Sequence, residues 1–159
     1  MINIFIEEHQ QILFALIKHK VDFILIGGYA VIYYGYDRTT GDMDIWLQIG
    51  NENRNKLIKA LKDFGIIDEH LEALRKMDFT NPLPVFYFGI KPRQIDFLTS
   101  VSNVKFEEAI KNVNYFPLKE EKIPVIHFND LILSKITSGR LKDKADIEEL
   151  QRINKYRRD

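Results

Sequence analysis

Residues 25–47 read LIGGYAVIYYGYDRTTGDMDIWL, and this stretch restricts the folds open to the chain more than any other. An apolar run, Phe23–Ile26, ends at Gly27-Gly28 and reads as a buried strand. Tyr29–Tyr34 has the spacing of a short helix, with Gly35 as its stop. Asp42–Ile49 alternates and is rich in strand formers, so a second strand is expected there. If the helix doubles back, the end of the first strand and the start of the second lie side by side.

Side chains alternate along a strand, so Asp42 and Asp44 share one face while Met43, Ile45 and Leu47 share the other. The apolar set can pack inward while the carboxylates converge. Hard divalent cations take oxygen ligands, commonly carboxylates together with substrate phosphates. An Asp-x-Asp alone is equally the polar face of a half-exposed strand, and Gly-Gly alone is equally a tight connection. Jointly they point to a nucleoside triphosphate site, because helix N-terminal amides bind anions and glycine lets a phosphate approach. Asp96 adds a third carboxylate. It interrupts the run Gln94–Leu98, where a lone acid is costly unless paired or coordinated. It is either a metal ligand, an aspartate at a sheet edge facing water, or a partner of Arg93. Arg38 and Thr40, with Thr39, precede the aspartates and suit phosphate binding, or form an ordinary solvated loop. Trp46 falls on the carboxylate face, where it stacks a base or simply packs in the sheet; Tyr29, Tyr33, Tyr34 and Tyr36 read as packing residues.

The rest of the chain alternates helices with short strands. Helices are expected over 3–19, 51–64, 68–77 (capped by Asp68), 106–112, 129–138 and 143–156, and extended segments over 85–90, 94–99, 115–118 and 123–127. The 85–90 and 94–99 runs flank Lys91-Pro92-Arg93 as a hairpin. This predicts an α+β (mixed α/β) fold: a small, partly antiparallel sheet flanked by helices, with a C-terminal helical cap. One domain over 1–159 is expected, its core in about 1–118 and its helical part in about 128–159. The 23 basic and 23 acidic residues cancel, so no general affinity for nucleic acid or membranes is indicated. There is no cysteine, no lysine-rich leader and no apolar run long enough for a bilayer, which together lead us to expect a cytoplasmic protein.

The combination of an apolar strand, Gly27-Gly28, Arg38, Thr40 and Asp42-x-Asp44 resembles the nucleotidyltransferase superfamily with the DNA polymerase beta-like fold. More closely it is similar to AbiEii-type toxin nucleotidyltransferases, through Gly27-Gly28-Tyr29-Ala30, through Arg38, Thr40, Asp42 and Asp44, and through Asp130–Lys135 and Gly139–Asp146. The resemblance implies an Mg²⁺-dependent transfer of a nucleoside monophosphate from a triphosphate to a hydroxyl. Two ions are implied, with Mn²⁺ an alternative. Asp42, Asp44 and Asp96 would be the catalytic and metal residues. Gly27, Gly28, Arg38, Thr40, Lys135 and Lys142 would bind nucleotide and phosphate. It also implies an RNA acceptor, tRNA above all, and an antitoxin partner. An antibiotic or protein hydroxyl is the alternative acceptor, and a catalytically silent nucleotide- or partner-binding module the alternative role. From the residues alone, Lys135, Asp143 and Asp146 serve equally well as an ion pair joining the last two helices.

Overall fold

In a computed structural model, which describes residues 3–158, the chain forms a mixed α/β fold with one six-stranded sheet. The elements run α1 (Glu7–Lys18), β1 (Phe23–Ile26), α2 (Gly27–Tyr33), β2 (Asp42–Leu47), α3 (Asn51–Phe64), α4 (Asp68–Arg75), β3 (Phe86–Phe88), β4 (Gln94–Leu98), α5 (Phe106–Ala109), β5 (Asn114–Leu118), β6 (Glu121–Val125), α6 (Phe128–Ile136) and α7 (Leu141–Arg158). Strand order is β3-β4-β2-β1-β6-β5. β1 lies antiparallel to β2 with Ile26 opposite Asp44, so the α2 connection does double back. β2 and β4 are parallel, with Asp44 opposite Asp96.

Burial explains the strands. β1 is buried on both faces, as a central strand must be, whereas β2 and β4 alternate. Met43, Ile45 and Phe97 fill the opposite face and leave the aspartates on the other. On the apolar side α1 packs on α3 and α3 on α4. Asn53 of α3 is buried yet satisfied: its amide bonds the backbone of Asp22 and Gln48, locking the start of β1 to the end of β2.

Several boundaries differ from the sequence expectation for local reasons. α2 begins at Gly27 itself, two residues before Tyr29. α1 starts only at Glu7, and α5 is a single turn ending at Ala109. Asp68 is not a cap; Ile67 holds the N-cap position, and Asp68 is the first helical residue, where its charge still complements the helix dipole. α7 begins at Leu141, which puts Lys142 and Asp143 in its first turn.

Candidate functional site

The aligned aspartates form the floor of the site. One carboxylate oxygen each from Asp42, Asp44 and Asp96 lies within 4.8 Å of the other two. Two come from alternate positions of β2 and one from the parallel neighbour β4, so the backbone ladder itself sets their spacing. Burial, and then the charges of Asp42 and Asp96, push the Asp44 carboxyl up to about 7, with Lys135 partly opposing them. Burial also raises Asp96, against a 2.7 Å hydrogen bond donated by the Gln94 amide. Lys91 places its ammonium 3.4 Å from Asp42. Arg93 is drawn away to Glu8 at 2.8 Å and leaves Asp96 without it. Close oxygens, raised affinity for a proton and only one exposed lysine nearby fit a divalent cation.

The glycine pair has a steric cause. A Cβ on Gly27, whose φ is +69°, would sit 2.0 Å from Asp44 Oδ2. A Cβ on Gly28 would sit 2.4 Å from the Thr40 hydroxyl. Both glycines therefore let β2 approach the α2 turn, and Thr40 donates in turn to the Asp42 carbonyl at 2.9 Å. Their bare backbone borders the same cavity as the carboxylates.

That cavity holds about 460 Å³ and is lined on its far wall by α6 and α7, including Lys135, Arg140 and Lys142. Lys135 is buried and bonds Asp143 at 2.9 Å and Asp146 at 3.1 Å. Asp146, 1% exposed, also meets Arg38 on two oxygens, at 3.0 and 3.1 Å. Arg38 thus lines the cavity with its guanidinium already engaged. Burial would raise Asp143, but Ser138, Lys135 and Arg140 outweigh it and hold it at about 2. The ion-pair role left open by the sequence is present in the structure, and the same Lys135 also reaches the cavity.

Trp46 does not face the site opening. It is 1% exposed, edge-on to Phe106 of α5, so a stacking role is replaced by packing. Alternation gave its face of the sheet but not the helix that covers it. The sequence reading passed over Lys91 and Gln94. Gln94 shares the period-two phase of Asp96, a signal that was there to be read; Lys91 is brought in only by the hairpin.

The family described as "Nucleotidyltransferase of unknown function (DUF6036)" matches residues 4–156. Among solved structures, the crystal structure of lincosamide antibiotic adenylyltransferase LnuA, lincomycin-bound, is similar at 19% identity and a TM-score of 0.55, over 96% of this chain and 99% of that one. No curated protein sequence matches. The likeness to AbiEii-type toxins is not among these matches. No helix of the described residues is long and apolar enough to cross a membrane.

Proposed function

This chain belongs to that nucleotidyltransferase family, and we propose that it works as one domain transferring a nucleoside monophosphate from a triphosphate to a hydroxyl acceptor. The observation that carries the reading is the three-carboxylate cluster, whose oxygens lie within 4.8 Å of one another. Asp42, Asp44 and Asp96 would hold Mg²⁺, as two ions, with Mn²⁺ able to substitute. Bound there, the metal supplies Lewis-acid polarisation of the α-phosphoryl group and neutralises charge on the departing pyrophosphate.

The chain's own groups do the rest. Gly27 and Gly28 present backbone to the phosphates, and Lys135 and Lys142 add positive charge from the opposite wall. Arg38, held by Asp146, contributes charge at a fixed position. Thr40 ties the loop to Asp42. Asp96 takes the proton of the acceptor hydroxyl as its oxygen bonds the α-phosphorus, while the bond from that phosphorus to the bridging oxygen breaks and pyrophosphate leaves.

For the acceptor, the resemblance to toxins points to RNA and to an antitoxin partner. The cancelling charge of 23 basic and 23 acidic residues, and the lincomycin in LnuA, favour a small hydroxyl-bearing molecule, which is the reading carried forward. Purified protein incubated with each labelled triphosphate, Mg²⁺, cellular RNA and small-molecule fractions tests the reaction. Pyrophosphate release with label on an acceptor is expected. Triphosphate that stabilises the fold equally well without Mg²⁺, and no transfer to any acceptor class in several divalent metals, would leave only a nucleotide-binding module.

A further inference from the structure

The register of the sheet orders the site as a line. Tyr87 of β3 lies opposite Asp96, Asp96 opposite Asp44, and Asp44 opposite Ile26, the residue before the glycine turn. Directly opposed residues point to the same face, so Tyr87 stands on the carboxylate side one strand beyond Asp96. Phe86 and Phe88 point the other way and pack around Phe97. β3 is the edge strand, and Tyr87 is 64% exposed. Val85, two residues earlier, is 55% exposed and lines the carboxylate cavity with Leu98 and Val101, while Tyr87 borders the neighbouring groove against α4. The glycine turn occupies one end of the line and the β3 edge the other, past Asp96.

At that end the aliphatic side chains of Val85, Leu98 and Val101 alternate with the hydroxyls of Ser100 and Ser102. Of the two cations of the adjoining hairpin, Arg93 is held by Glu8 at 2.8 Å, and Lys91, 3.4 Å from Asp42, is a single charge on the donor side of Asp96. The cations on α6 and α7 belong to the opposite wall. A phosphate backbone needs a track of free Lys and Arg, which this rim does not offer. A flat ring needs an exposed aromatic beside aliphatic side chains, which it does.

We propose that the acceptor is an uncharged hydroxyl-bearing molecule with an apolar or planar ring, seated on Tyr87 and Val85 of the β3 edge so that its hydroxyl meets Asp96. The proposal rests on the nucleotidyl-transfer reading above and specifies its acceptor half. The acceptor oxygen forms the new bond to the α-phosphorus, its proton passes to Asp96, and pyrophosphate departs with the bond electrons.

The test uses labelled ATP and Mg²⁺ in three arms: uncharged aryl glycosides, short oligoribonucleotides, and water alone. Label on an aryl glycoside is expected. Tyr87→Ala should raise the KM for that acceptor about tenfold, the scale of one lost aromatic contact, with Tyr87→Phe close to wild type. Hydrolysis of ATP to AMP and pyrophosphate in water, and the KM for ATP, should be unchanged in both variants. Label on the oligoribonucleotide alone, hydrolysis with no label in any arm, or transfer indifferent to Tyr87→Ala would each overturn the proposal. Absence of ATP turnover even in water would instead sink the donor-side reading on which it rests.

Discussion

Two groups of aspartates lie close to the cavity, and the protein treats them in opposite ways. Asp42, Asp44 and Asp96 face one another, and burial with mutual repulsion drives Asp44 up to about 7. Asp143 and Asp146 are more withdrawn from water still, yet Lys135, Arg38 and Arg140 surround them and Asp143 falls to about 2. Asp44 and Asp143 thus shift in opposite directions because carboxylates dominate the surroundings of the first and cations those of the second. The first is organised to receive charge from outside; the second is complete and serves to tie α7 to α6 and to the loop before β2.

The sharpest way to break this contrast is to remove one member of each. Asp44→Ala should lower nucleotidyl transfer about a thousandfold, equivalent to roughly 4 kcal/mol of lost transition-state stabilisation, while leaving the metal-free protein as stable as before or more so. Steady-state rates and thermal unfolding in EDTA check both halves. Asp146→Ala should do the reverse in kind. It strands Arg38 and leaves Lys135 with Asp143 alone, and unfolding free energy should drop by about 3 kcal/mol in urea titrations. Equal destabilisation by the two substitutions would erase the distinction.

The pH dependence should carry opposite signs. Asp44 holds its proton more tightly folded than unfolded, about 7 against 3.8, so the native state binds more protons in that window. Its contribution is therefore full below pH 3.8 and disappears as pH rises through 7. Metal-free protein should accordingly lose stability between those values, less so in Asp44→Asn, and Mg²⁺ should restore it at the alkaline end. Asp143 behaves inversely. Its contribution is present above pH 3.8 and is lost as pH falls through 2, so Asp143→Asn should flatten the acid limb of the unfolding curve.

The smallest effect concerns Lys91, the exposed lysine that contacts Asp42. Lys91→Met should tighten Mg²⁺ binding by up to about fivefold by calorimetry, the scale of an exposed ion pair being at most about 1 kcal/mol. Unchanged affinity would mean that Lys91 does not compete for Asp42.

Period-two alternation was enough to put Asp42 and Asp44 on one face, and the cost of a lone acid in an apolar run was enough to single out Asp96. Those inferences depend only on local backbone geometry. The glycine pair was visible, but its cause was not: Gly27 and Gly28 are required by Asp44 and Thr40, whose approach exists only once β2 has folded back. Arg38 looked like a free phosphate ligand because its partner Asp146 is 108 positions away. Trp46 was assigned its face correctly, while the helix that buries it comes some sixty residues later in the chain and was not foreseeable.

The sequence by itself determined the supersecondary unit, the mixed α/β class and the three acidic residues, because strand period, glycine turns and the penalty for buried charge are properties of short segments. Only the tertiary structure decided how the two expected strand pairs join, with β4 beside β2 and β6 beside β1. That choice brings β4 between β3 and β2, sets Asp96 against Asp44 and Tyr87 against Asp96, and closes α6 and α7 over the opposite wall. Strand order and long-range ion pairs follow from packing the whole chain at once, and no local pattern of residues encodes them.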